Sequence, residues 1–106
     1  MHSLSIITLN MKPIGGIKKI IVQEGKETEF EKLFFEMLSH IRKEETGNIY
    51  YDLYKSRTSA QAYVVTERYK DQAAWQAHQD SEYGKIYFPK IRAILESIEV
   101  EYFDAV

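Results

Sequence analysis

The sequence predicts an α+β domain, and three observations carry that prediction. Phe30, Leu33, Phe34, Met37, Leu38 and Ile41 recur at helical spacing. Ile98 to Phe103 alternates strictly, with Ile98, Val100 and Tyr102 set against Glu99 and Glu101, as in a half-buried strand. Between these stretches, Ile49 to Lys55 and Ala62 to Glu67 are rich in the aromatic and β-branched residues that favour strands. At 106 residues there is room for one domain, and residues 1–106 read as one, with 1–13 as an N-terminal arm or extra strand.

Taken in order, Leu4 to Leu9 reads as a short strand. Pro13 to Gly16 carries turn chemistry. Ile17 to Val22 is a second extended run, so either the first run is an added arm or the two form a hairpin. Thr28 with Glu31 spells a capping box before the long helix, which runs to about Glu45, and Gly47 suits its C-terminal stop. The strands Ile49–Lys55 and Ala62–Glu67 flank a polar turn at Arg57 to Ala60. Asp71 is placed to cap a second helix with Ala74, Ala77, His78 and Ser81 on one face. Gly84 interrupts it, and Pro89 fits the first turn of a last helical piece reaching Ser97. The resulting β-α-β-β-α-β order is that of a ferredoxin-like sandwich.

Two helices cover only one face of such a sheet. Its central strands are nevertheless apolar or aromatic on both faces, with Ile49, Tyr51 and Leu53 opposing Tyr50 and Tyr54, and Tyr63 and Val65 opposing Ala62 and Val64. A sheet wet on one face alternates cleanly with polar residues. A second copy of the same sheet is the economical cover, which predicts a face-to-face homodimer.

Composition removes several function classes. The net charge is -2 and the basic residues are scattered, so no electrostatic footprint for nucleic acid is present. No apolar run approaches the ~20 residues a bilayer needs, and Met1 to Thr8 lacks the pattern of a signal peptide, leaving a cytoplasmic location as the default. There is no cysteine, hence no disulfide, thiolate nucleophile or Cys-ligated metal. The histidines at 2, 40 and 78 show no metal-ligand spacing, and Gly15-Gly16 fits neither dinucleotide nor P-loop patterns. No bound cofactor or metal is expected. Eight tyrosines, five phenylalanines and one tryptophan are many for this length, and suit a deep core, an interface or an aromatic pocket.

From Gly47-Asn48-Ile49-Tyr50-Tyr51-Asp52-Leu53 through Glu67-Arg68-Tyr69-Lys70-Asp71, and on to Ala74, Ala77-His78, Ser81 and Tyr83, the chain resembles the antibiotic biosynthesis monooxygenase family. Glu24-Gly25-Lys26-Glu27, with Phe30 after it, is similar to the family's helix start in all but a proline. The motifs are short, but their order and spacing over Ile17 to Phe103 are specific. The wording at Tyr69-Lys70-Asp71 is closest to the bacterial quinol-monooxygenase-like and autoinducer-processing members. The resemblance implies a dimeric α+β barrel and a cofactor-independent monooxygenase acting on a quinol-like or polyketide-like aromatic substrate. The alternatives on the same scaffold are an isomerase of a small carbonyl signal compound and a non-catalytic small-molecule-binding dimer.

His78 is the first catalytic candidate. Its helix face points toward the sheet, where an imidazole can take a proton from an activated hydroxyl or carbon. The competing reading is a half-buried histidine satisfied by a backbone carbonyl. Tyr51, Tyr63, Tyr69, Trp75 and Tyr83 are candidate walls of a substrate pocket, with core and dimer packing as the alternative for most. Glu67 either orients a base or forms an ion pair across the dimer. The resemblance adds Asn10, since related enzymes use an early-strand asparagine to hold substrate or oxygen. In haem-degrading relatives a histidine falls near Phe88, and its absence here counts against that activity.

Overall fold

A computed structural model describes residues 11–106. Strand β1 (Ile14–Val22) leads into helix α1 (Glu27–Glu44), then the hairpin of β2 (Asn48–Lys55) and β3 (Ala62–Tyr69). Helices α2 (Gln72–Gln79) and α3 (Glu82–Arg92) follow, and β4 (Leu95–Asp104) closes the domain. The four strands form one antiparallel sheet in the order β2-β3-β1-β4. This is the ferredoxin-like α+β arrangement, with the second helical crossing split in two.

Alternation along the strands decides which side chains enter the core. Ile14, Ile20 and Val22 of β1, and Tyr63, Val65 and Tyr69 of β3, are buried on the helix side of the sheet. Phe30, Phe34, Met37, Leu38 and Ile41 of α1 pack onto them. The expected apolar stripe of the long helix is thus its buried face, with Leu33 at the margin.

Several local expectations give way to other contacts. β1 begins at Ile14, so the two glycines are strand residues and no turn forms there. A Cβ on Gly16 would lie 2.7 Å from Glu67 Cγ and 2.8 Å from Tyr102 Cε1, so glycine admits these two neighbouring side chains. The turn belongs to Gly25, whose φ of 84° is costly for any other residue. Thr28 and Glu31 make no capping box. Lys26 stands at the cap position without a side-chain bond, because the helix starts one residue before Thr28. Gly47 has no left-handed φ. A Cβ there would come within 2.4 Å of that of Ala74, so glycine serves the close approach of β2 to α2.

Asp71 does cap α2, accepting from Ala74 N at 2.9 Å. The helix then breaks at Ser81 instead of Gly84, because the Ser81 hydroxyl accepts from Gly84 N and starts α3 afresh. Pro89 therefore lies inside α3, which ends at Arg92, and β4 takes up residues that were expected to be helical. Ala77 is exposed, so the buried side of α2 is formed by His78 with Ala74 and Trp75 at its margin.

Among the described residues no element covers the other sheet face. Ile17, Tyr50, Tyr54 and Phe103 project there, Tyr54 59% and Phe103 45% exposed. Ile49 sits at a register shift beside them and is also exposed.

Candidate active site

A cavity of about 230 Å³ lies between the sheet and the helices. Phe30, Phe34 and Met37 of α1, Phe88 and Ile91 of α3, and Leu95, Ile98 and Val100 of β4 supply most of its apolar wall. Six polar side chains enter it: Lys18, Tyr51, His78, Gln79, Arg92 and Tyr102. Among the described residues no carboxylate lines it.

His78 is 1% exposed, yet it is a cavity residue. Its Nδ1 lies 2.8 Å from Glu45 Oε2, at the end of α1, and 3.4 Å from the Tyr83 hydroxyl. With Nδ1 turned to the carboxylate, Nε2 is the ring nitrogen that the Glu45 contact leaves free. Nε2 is buried and has no partner among the described residues. The rings of Tyr51, Tyr69 and Phe88 surround the imidazole at 5.3, 5.4 and 5.4 Å between centroids. A histidine gripped on one nitrogen and bare on the other, beside a cavity, is the arrangement of an oriented base. Packing alone leaves no reason for the bare nitrogen.

A second buried cluster adjoins it on the sheet. Lys18 Nζ is 2.9 Å from the Tyr51 hydroxyl and 3.1 Å from Glu67 Oε2, an ion pair inside the core. Burial acts against the Lys18 charge, but Tyr51, Glu67 and Tyr102 around it together hold its pKa above the ordinary lysine value. Glu67 is fully buried and also accepts from the Tyr69 hydroxyl at 3.0 Å. Its ion-pair partner is in its own chain. Burial pushes the Tyr51 hydroxyl up to about 12, with Lys18 opposing the shift. Burial likewise raises Tyr69, with Glu67 adding to it.

The residues singled out from sequence are thus placed in three groups. His78 and Tyr51 line the cavity. Glu67, Tyr69 and Tyr83 stand behind them, and Trp75 packs edge-on against the cavity residue Tyr102 at 5.4 Å. Tyr63 lies apart, donating to Glu31 of α1 beneath Lys55. Asn10 lies outside the described residues. The sequence reading missed Lys18, Glu45, Gln79 and Tyr102. Lys18 carried a signal, since it falls between Gly16 and Ile20 on the inward register of β1. Glu45 carried one too, four residues beyond the buried Ile41. Among the described residues no three His, Asp or Glu side chains gather as metal ligands.

Residues 13–89 match the family model described as antibiotic biosynthesis monooxygenase. The chain belongs to that family. Solved structures agree with the assignment. A Caulobacter crescentus protein, described as a candidate antibiotic biosynthesis monooxygenase, is 28% identical, with a TM-score of 0.86 over 100% of this chain and 99% of that one. A Shewanella oneidensis protein, SO0527, is 25% identical, with a TM-score of 0.81 over 91% of this chain and 93% of its own. SnoaB from Streptomyces nogalater, described as a cofactor-independent oxygenase, is 19% identical, with a TM-score of 0.80 over 89% of this chain and 93% of that chain. At that identity the likeness to SnoaB is one of fold. Among curated proteins none matches the sequence.

Proposed function

We propose that this family member is a cofactor-independent monooxygenase that oxidises a compact quinol-like or polyketide-like aromatic substrate, with His78 as its base. The observation that carries the reading is the bare, buried Nε2 of an imidazole anchored through Nδ1 to Glu45 beside the cavity. Membership of a monooxygenase family supports it. The cavity is smaller than the roughly 300–1,000 Å³ of typical drug-sized sites, which suits a small fused-ring compound.

In this scheme Nε2 removes a proton from the activated carbon or hydroxyl of the substrate. The electron-rich anion gives its electron pair to dioxygen, and a carbon–oxygen bond forms. The protonated His78 returns its proton to the distal oxygen, giving a hydroperoxide. Loss of the second hydrogen from that carbon then breaks the oxygen–oxygen bond. A carbonyl remains and water leaves, so the substrate supplies every electron. The apolar walls keep bulk water from the anion before oxygen arrives.

The test is oxygen uptake by purified protein with a panel of quinols and anthrones, with no flavin, haem, metal or reductant added. One O2 consumed per substrate, with one of its atoms incorporated as a new carbonyl in the product and the other released as water, is the expected result. A substrate that isomerises without oxygen uptake replaces this reading with proton transfer alone, for which the same base suffices. Binding with no turnover of any panel member leaves a small-molecule-binding protein.

The functional unit in this proposal is a homodimer. Ile17, Tyr50, Tyr54 and Phe103 form an apolar patch on the sheet face away from the cavity, and monomers rarely leave such a patch uncovered. Sedimentation at low micromolar concentration is expected to give one species at twice the 12.5 kDa chain mass. A folded monomer under those conditions removes the barrel dimer.

A further inference from the structure

The floor of the cavity holds a hydrogen-bond donor that the base does not require. The strand registers set Tyr51, Glu67, Gly16 and Tyr102 side by side across β2, β3, β1 and β4. Gly16 leaves the space over which Glu67 leans, and Lys18, two residues along the same face, reaches both Glu67 and Tyr51. Glu67 compensates the lysine charge from outside the cavity lining, so the ammonium stays charged without presenting a carboxylate to a ligand.

The direction of the Lys18–Tyr51 bond matters most. An ammonium is donor only, so the tyrosine oxygen accepts from Nζ at 2.9 Å. The phenolic proton must then point elsewhere, and among the described residues no acceptor takes it. Tyr51 lines the cavity, with its ring 5.3 Å from that of His78. Its hydroxyl keeps its proton at neutral pH, since burial has raised it to about 12. A hydroxyl that keeps its proton, polarised by a buried cation and set beside a base, is what an oxygen anion needs as the base removes a proton.

We infer that the Tyr51 hydroxyl, polarised by Lys18, forms an oxyanion site that receives the ionised oxygen of a phenolic or enolic substrate. This rests on the proposed function and narrows its substrate class. The substrate must carry a hydroxyl or carbonyl oxygen that becomes anionic when His78 takes the proton, and that oxygen faces β2. A purely hydrocarbon ring, or one whose oxygens are all alkylated, is not a substrate.

The probe is 4-nitrophenol, whose phenolate absorbs in the visible. Equilibrium dialysis measures its binding, and a pH titration of the bound probe reads its ionisation. In the wild-type protein the bound probe should ionise at least about one pH unit below its value in water, a tenfold gain for the phenolate. Tyr51→Phe keeps the ring and should abolish the shift. The charge-neutral double variant Lys18→Met/Glu67→Gln should reduce it while leaving no unpaired buried charge. With a turned-over substrate, Tyr51→Phe should lower kcat by about 10²–10³-fold with little change in KM. A wild-type probe no more acidic than in water overturns the inference, as does an unchanged shift in Tyr51→Phe. Failure of the probe to bind also overturns it, because a small phenol is the minimal ligand of such a site. No oxygen is consumed in the titration. A protein that ionises the probe but never takes up oxygen therefore loses the oxygenase reading and keeps the oxyanion site.

Discussion

Replacing His78 with glutamine is expected to lower turnover by about 10²–10⁴-fold, the range for loss of a general base. Glutamine keeps an N–H donor for Glu45 but offers no basic nitrogen to the cavity. The fold should survive, so the loss should fall on kcat in protein with an unchanged unfolding curve. Alanine at the same position is a poorer probe. It strands the Glu45 carboxylate, whose other oxygen already lacks a partner among the described residues, and should cost about 1–3 kcal/mol of stability as well. If His78 is only a packing residue, the result reverses: stability drops in both variants, and activity per folded molecule stays at the wild-type level. Steady-state kinetics and urea denaturation on the same preparations separate the two.

The largest stability effect should come from Lys18. Lys18→Met removes the partner of a carboxylate with no solvent exposure, and breaking one side of a buried pair typically costs about 3–5 kcal/mol. Adding Glu67→Gln to that variant should recover most of the loss, because the uncompensated charge is then gone. Denaturant midpoints of the two single variants and the double variant measure the coupling directly. Equal midpoints for wild type and Lys18→Met would mean that water reaches Glu67 in solution.

The helix–strand order was legible because apolar periodicity reports burial, and burial organises this fold. Phe30 to Ile41 declared their face without help from any partner. The Asp71 cap was legible for a similar reason, since its acceptor serves an N–H only three residues away. What escaped the sequence depends on residues far apart in the chain. Gly47 read as a helix stop, yet its role is set by Ala74, which only the fold brings near. The break at Ser81 escaped because Gly84 read as the interruption, whereas Gly84 lies inside the new helix and donates to the Ser81 side chain that caps it. In the candidate site, His78 stood out through its apolar surroundings and the family resemblance. Its anchor did not, because Glu45 is 33 residues away and reads as one more charge at a helix end. Lys18 was hidden because Pro13 to Gly16 read as a turn, so the inward register it shares with Gly16 and Ile20 went unread.

The lining of the cavity divides by origin. His78 comes from α2 and its anchor from the end of α1, while Lys18 and Tyr51 come from β1 and β2. The wall facing them is largely aliphatic and aromatic, drawn from α3 and from β4 at the sheet edge. Ile91, Leu95, Ile98 and Val100 hold no proton and take no part in either polar cluster. Exchange among hydrophobic side chains at these four positions can reshape the chamber while the proton-handling groups stay where they are. A change in the shape of the chamber therefore asks only for substitutions along one strand and one helix, with both buried polar clusters left intact.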